Sequence, residues 1–81
     1  VWYEANALLV EKDGKYGYID KTGKVTIPFK YDFAKDFENG TASVRIGELY
    51  GYVDKSGNEI VPVKYTYSEA MTILQNKKNN N

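Results

Sequence analysis

The chain of 81 residues contains no cysteine and no histidine. Without cysteine it can form no disulfide, and without either residue type it lacks the usual ligands of structural zinc. A domain of this size buries only about 60% of the surface that its unfolded chain exposes. Its stability must therefore come from side-chain packing alone.

The chain also lacks an excess of charge of either sign, because 11 basic residues balance 11 acidic ones. Net charge therefore provides no long-range attraction to nucleic acid or to an anionic membrane. No apolar run approaches the roughly 20 residues of a membrane span, and no secretion signal is visible. We expect neither nucleic acid nor a membrane span to define its function.

Aromatic residues are abundant, with eight tyrosines, three phenylalanines and one tryptophan. The hydrophobic fraction of 42% suits a globular, β-rich chain and is too high for a disordered one. We expect these aromatic side chains to form the core.

A sequence repeat organises the chain. The stretch YGYIDKTG, which begins at Tyr16, returns as YGYVDKSG at Tyr50, and the same spacing, which we call the repeat offset, pairs Pro28 with Pro62. A fixed period of this length is typical of solenoids, propellers and other arrays. YSEAMTIL, from residue 67, resembles the start of a third copy. We divide the chain into a first repeat with its linker, a second repeat with a shortened linker, and the start of a third repeat with a polar tail (1–40, 41–70 and 71–81).

Within each repeat the pattern predicts three antiparallel strands. In the first repeat, apolar alternation begins at Leu8, a hairpin signal follows at Asp13-Gly14, and the second strand covers Tyr16 to Asp20. The third strand is expected to end its pairing at proline, Pro28 or Pro62. A polar linker should follow over 29–40, with a short helical turn around Asp32 to Asp36 and two buried rings, Tyr31 and Phe37.

The fold class is therefore all-β, with tandem antiparallel three-stranded units in a solenoid-like or propeller-like array. Two units are nearly complete, and the third contributes its first strand. Edge strands near Val1 and Thr72 are expected to pair with another chain, or to continue in a longer protein, because open edges invite strand addition. The alternative for Thr66 to Gln75 is a helix, since Thr66 and Glu69 resemble a capping box and the apolar residues that follow have helical spacing.

Four spaced motifs resemble the WG-repeat (KWG) family: GKYGYIDKxG from residue 14, IP from residue 27, KYD from residue 30, and aromatic-x-x-G-x-A-x-V from residue 37. Where that family is named for tryptophan, this chain has Tyr16 and Tyr50. The resemblance implies all-β repeat modules, mostly in bacterial proteins, often in longer arrays and without assigned catalysis.

Asp20 begins the sequence DKTG, which is the core of the phosphorylated-aspartate motif of ion pumps, and Asp54 begins its second copy, DKSG. Phosphoryl transfer requires Mg²⁺ held by further carboxylates and a larger α/β domain, and Lys24 stands where the pumps have threonine. We predict instead that both carboxylates accept backbone N–H groups at the head of a turn, with Gly23 and Gly57 at positive φ.

The candidate binding surface is a set of four tyrosines: Tyr16, Tyr18, Tyr50 and Tyr52. Packing in the core is the favoured interpretation, because a small domain needs the area that such rings bury. An exposed ladder on which sugar rings stack is the alternative. A cluster of carboxylates in the linker, Asp32, Asp36 and Glu38, could bind a hard cation, but it does not recur in the second repeat.

We predict no catalytic, cofactor-binding or metal-binding residue. The expected function is a non-catalytic module for protein–protein interaction or assembly, in which a protein partner or a second copy binds through edge strands. Carbohydrate or cell-surface binding is the alternative.

Overall fold

A computed structural model describes residues 7–79. It is mostly β, with two antiparallel sheets and one helix; strands β1, β2 and β3 form one sheet, and β4, β5, β6 and β7 form the other. In chain order the elements are β1 (Leu8–Lys12), β2 (Lys15–Ile19), β3 (Val25–Tyr31), β4 (Phe33–Ala34), β5 (Thr41–Ile46), β6 (Leu49–Asp54), β7 (Glu59–Tyr65) and α1 (Tyr67–Asn79).

The two sheets repeat the same strand pairing. Tyr18 lies opposite Ile27 in the first sheet, and Tyr52 lies opposite Val61 in the second, one repeat offset further along the chain. Both pairings also carry register shifts at corresponding positions. We call β1 to β3 unit 1 and β5 to β7 unit 2.

The predicted end of pairing at proline is wrong. The third strand of each unit continues through its proline, to Tyr31 in β3 and to Tyr65 in β7. Pro28 and Pro62 are exposed and lie in edge strands, at the register shift. Proline is tolerated there because no neighbouring strand requires its missing N–H.

The linker between the units contains a strand where a helical turn was expected. Phe33 and Ala34 form β4, which pairs with Arg45 and Val44 of β5. The chain thus leaves unit 1 and adds an edge strand to the sheet of unit 2. Phe37 is buried as predicted.

The predicted strand of a third repeat, around Thr72, is wrong, because this segment belongs to helix α1. Thr66 and Glu69 form the capping box: the Thr66 N–H donates to Glu69 Oε1 at 3.1 Å, and the Glu69 N–H donates to Thr66 Oγ1 at 3.2 Å. The strand expected near Val1 lies outside the described residues. No helix in the described part of the chain is long and apolar enough to cross a membrane.

The main core lies between the two units. Tyr18, Ile27 and Tyr31 of unit 1 share this core with three residues of unit 2 and two of the linker: Ala42, Val44 and Val53, with Ala34 and Phe37. A second cluster joins unit 2 to α1 and contains Tyr52, Val61, Ala70 and Leu74. Unit 2 is therefore covered twice, by unit 1 in the main core and by α1 in the second cluster.

The glycine in each YGY motif is required by the close approach of the neighbouring strand. A Cβ on Gly17 would lie 2.7 Å from the carbonyl oxygen of Ile27 and 2.9 Å from the Phe29 ring. The three atoms nearest to a Cβ on Gly51 would all be backbone atoms, those of Val61 and Pro62. Backbone cannot move aside as a ring can.

We therefore expect Gly17→Ala to lower the free energy of unfolding by about 1–3 kcal/mol, as overpacking does, and Gly51→Ala to lower it further. Urea unfolding measures both. The exposed Lys21→Ala is the control, expected to stay within about 0.5 kcal/mol of the wild type. A Gly51→Ala variant as stable as this control would contradict the close approach.

Helix α1 should be held mainly by Leu74, which is buried against unit 2. Leu74→Ala is expected to lower the free energy of unfolding by about 2–4 kcal/mol, through lost burial and a residual cavity. Met71→Ala is the matched control, since Met71 lies on the same helix and is 38% exposed. Urea unfolding followed by circular dichroism compares them; equal losses would show that α1 does not cover unit 2 in this way.

Candidate functional site

The two aspartates of the repeated motif hold equivalent turns. The Asp20 Oδ1 accepts the N–H groups of Thr22 at 2.9 Å and of Lys24 at 3.0 Å. In unit 2, the Asp54 Oδ1 accepts those of Ser56 and Asn58, each at 2.9 Å. These oxygens are engaged with the backbone of their own turns.

The last residue of each turn is a glycine at positive φ. Gly23 has φ 94° and Gly57 has φ 92°, and the N–H of each donates to the aspartate carbonyl three residues earlier at 3.0 Å. This is the left-handed region in which glycine carries no Cβ penalty.

Hydrogen bonding alters the acidity of both carboxyls. The side-chain hydrogen bond from Thr22, followed by backbone donors, lowers the pKa of Asp20. For Asp54, desolvation opposes the change, but hydrogen bonds from Asn58, Ser56 and Gly57 together lower its pKa. Each group is therefore held in its charged, accepting form.

The four tyrosines do not form one exposed ladder. Tyr18 and Tyr52 are buried, with 0% and 9% of their surfaces exposed. Tyr16 and Tyr50 are half-buried. The physical reason is that Tyr18 and Tyr52 supply large rings to the two cores.

Each half-buried tyrosine packs edge-to-face against an aromatic residue that follows its unit. Tyr16 meets Phe33 with ring centroids 5.6 Å apart, and Tyr50 meets Tyr67 at 5.3 Å. Phe33 and Tyr67 are separated by the repeat offset, although one lies in a strand and the other in helix α1. The helix thus presents a ring where the linker of unit 1 presents one.

The buried hydroxyl groups stay protonated. The Tyr18 hydroxyl donates to the Lys35 carbonyl at 2.6 Å, and burial, with Asp36 and Tyr31 nearby, raises its pKa. Burial, with Glu59 nearby, raises the pKa of Tyr31 to about 12. These groups serve as hydrogen-bond donors.

Asp32 connects the two units, a role that its place in a polar linker did not predict. Its carboxylate accepts from Lys15 Nζ of unit 1 at 2.5 Å and from the Gly47 N–H of unit 2 at 2.6 Å. The hydrogen bond from Lys15, and then the one from Gly47, lowers the pKa of Asp32. Among residues 7–79, no group of three or more potential ligands is arranged to hold a metal ion.

The outer edge of β1 is open within the described residues. Strand β1 ends its sheet, and no strand between residues 7 and 79 pairs with its outer side. A separate open groove of about 650 Å³ is lined by one residue of β1, one of β2 and the linker: Leu9, Tyr16 and residues 33–38.

Comparison with known proteins gives one result. The family model described as WG containing repeat matches residues 16–50 and again 50–72, which together make up more than half of the chain. No curated protein and no solved structure gives a significant match.

The two aspartate turns should make stability depend on pH. A carboxyl whose pKa is lower in the folded state stabilises the fold at pH values above its unfolded-state pKa of about 4. This stabilisation is lost as the pH falls through the folded-state pKa. We expect an Asp20→Asn, Asp54→Asn double variant to lose less stability on acidification than the wild type does. Urea unfolding across this pH range measures the slopes.

At neutral pH, Asp54→Ala alone should lower the free energy of unfolding by up to about 1 kcal/mol, by analogy with side-chain caps on a largely exposed site. Asp20→Ala should also be destabilising. Glu48→Gln, at an exposed hairpin turn, is the control for loss of a surface charge. Identical acid slopes in the wild type and the double variant would exclude this role of the two carboxylates.

Proposed function

The chain belongs to the WG-containing-repeat family, and from this premise we propose that it is a non-catalytic β-repeat module that assembles with other protein chains. The outer edge of β1, which no strand within residues 7–79 covers, is the observation that carries the proposal. The units belong to a longer, solenoid-like array in this proposal, and partners add to an uncovered strand.

Edge addition is supported by the contrast between β1 and the two proline-containing edges. Strands β3 and β7 carry Pro28 and Pro62, and proline in an edge strand blocks pairing with a further strand. Strand β1, with the sequence LLVEK, has no proline, and its Leu8 is 38% exposed. An unprotected, partly apolar edge is a template for another strand.

The chemistry of the polar side chains supports a non-catalytic role. The carboxylates of the repeated motif accept hydrogen bonds within their own turns, and the hydroxyl of Tyr18 is committed to a backbone carbonyl. The sequence has no histidine or cysteine to serve as base or nucleophile. The carbohydrate alternative finds no such support, because two of its four rings lie in the cores.

Self-association is the test, with a second copy of the chain as the probe. Glu11 occupies the position in unit 1 that Arg45 occupies in unit 2, and the Arg45 backbone carbonyl accepts the Asp32 N–H on the outer side of β5. The N–H and C=O groups of one residue in an antiparallel strand point to the same side. Glu11→Pro therefore removes an outward donor and should leave the pairing with β2 intact.

We expect sedimentation equilibrium from micromolar to millimolar concentration to show the wild type associating and Glu11→Pro remaining monomeric. Lys21→Pro is the matched control, because position 21 is the second residue of a turn, where proline is favoured. It should associate like the wild type. A wild type that stays monomeric throughout, or a Glu11→Pro variant that associates equally, would refute edge-strand assembly.

A further inference from the structure

A crevice of about 230 Å³ is lined by four parts of the chain: the linker, β5, β6 and α1. We call it the α1 crevice. Among its lining residues in the described part of the chain, none belongs to β1, β2 or β3. The α1 crevice is therefore separate from the edge strand at which other chains are proposed to add.

The Tyr52 hydroxyl is a donor without an acceptor in this crevice. Tyr52 is 9% exposed and lines the crevice, and its hydroxyl makes no hydrogen bond within residues 7–79. No fully buried side-chain oxygen or nitrogen in the same range lacks a partner, so this hydroxyl reaches the crevice. The corresponding hydroxyl of unit 1, on Tyr18, donates to the Lys35 carbonyl at 2.6 Å. Burial, and then the nearby Tyr67, raises the pKa of Tyr52 and keeps its hydroxyl protonated.

The neighbour of each tyrosine differs in the same sense. Tyr18 lies opposite Leu9 in unit 1, and Tyr52 lies opposite Ser43 in unit 2. Ser43 is half-buried, lines the crevice, and makes no side-chain hydrogen bond with the described residues. Side chains directly opposite each other on paired strands lie side by side. Unit 2 therefore carries two adjacent, unused hydroxyls where unit 1 has an apolar side chain and a hydroxyl with an acceptor.

The rest of the crevice combines charges of both signs with apolar surface. It has two cations, two carboxylates and two apolar side chains of α1: Lys35 and Lys78, Asp36 and Glu38, and Met71 and Leu74. None of the four charged groups is in an ion pair with another described residue. The charges are thus balanced and available to a ligand.

This lining excludes several classes of ligand. A phosphate would be repelled by the carboxylates of Asp36 and Glu38. A sugar would compete for the Tyr67 ring, because Tyr50 packs against it at 5.3 Å and Lys35 Nζ lies over it at 5.9 Å. Metal ions are excluded as well, since residues 7–79 contain no group of three or more potential ligands arranged to hold one.

We propose that the α1 crevice binds a free amino acid with an apolar side chain, in its zwitterionic form. The ligand carboxylate accepts hydrogen bonds from the Tyr52 and Ser43 hydroxyls, beside a lysine of the crevice. The ammonium group lies near the linker carboxylates, and the apolar side chain contacts Met71 and Leu74. The crevice is smaller than the pockets of about 300–1,000 Å³ that hold drug-sized molecules, which suits a ligand of this size.

Titration of the full chain with L-leucine, followed by amide chemical shifts, tests the proposal. We expect saturable shifts at Ser43 and Tyr52, with a Kd of about 1 mM, as for a small ligand in an open site. Leucine methyl ester lacks the carboxylate and N-acetylleucine lacks the ammonium group. Each should bind about tenfold more weakly or worse, because one charged contact is lost. Glucose and inorganic phosphate should give no saturable shift.

Two variants separate binding from folding. Tyr52→Phe removes one hydroxyl and keeps the ring in the second cluster, so leucine should bind about tenfold more weakly. Ser43→Leu introduces the kind of residue that unit 1 has at this position and should also abolish strong binding. Tyr65→Phe is the matched control, because Tyr65 does not line the crevice, and it should bind leucine like the wild type.

The urea midpoint gives a second readout of the Tyr52 hydroxyl. Tyr18→Phe should lower the midpoint, because it leaves the Lys35 carbonyl without its donor. Tyr52→Phe should leave the midpoint unchanged, because its hydroxyl has no partner to lose. Equal losses in the two variants would show that the Tyr52 hydroxyl is already paired within the protein and would overturn the proposal.

Three binding results would also overturn it: no saturable shift at Ser43 and Tyr52, an equal response to glucose or phosphate, or full leucine affinity in Tyr52→Phe. The outcome is independent of the assembly test. Glu11→Pro, which blocks the β1 edge, should bind leucine as the wild type does, because Glu11 does not line the crevice. Either proposal can therefore fail while the other stands.

Discussion

The burial of one tyrosine in each unit is the constraint on which the rest of the structure depends. A three-stranded sheet leaves both faces bare unless something packs on it, and the large ring of Tyr18 can be fully buried only if a second layer covers it. The covering element must also provide an acceptor for the hydroxyl, which the Lys35 carbonyl does at 2.6 Å. Unit 1 therefore needs both the linker and unit 2. The corresponding ring of unit 2, Tyr52, is covered by α1 instead.

The glycine between the two tyrosines makes this arrangement possible. Strand β3 passes so close to Gly17 that a Cβ would meet the Ile27 carbonyl oxygen, and β7 passes Gly51 in the same way. The same place carries the register shift that separates the Tyr18–Ile27 and Tyr16–Tyr31 pairs. Irregular pairing bends a strand, and the bent third strand leads directly into the linker. The YGY motif is thus a structural device, which explains its return at the same offset.

Much of each unit could be predicted from the sequence, because the interactions within a unit are local. The Asp13-Gly14 hairpin and the alternation of Leu8 and Val10 are short-range patterns with known geometry. The extra strand β4 could not be predicted in this way, since Phe33 and Ala34 gain their partners only when unit 2 is placed beside them. The same holds for Asp32, whose two donors, on Lys15 and Gly47, are far from it in sequence. The residues of α1 fit both a strand pattern and a helix pattern. The helix forms because Thr66 and Glu69 make a capping box and Leu74 is buried against unit 2.

The positions at which the two units differ carry the functional information. The turns headed by Asp20 and Asp54 are nearly identical, because their hydrogen bonds close within the turn and depend on no neighbour. The outward-facing positions differ in size and charge: Leu8 against Ala42, Val25 against Glu59, and Glu11 against Arg45. Each of these residues faces whatever lies next to its unit, and the neighbours of the two units differ. A repeat protein can therefore keep one fold along its length while each joint selects its own partner, since stability is a sum of unit and interface terms.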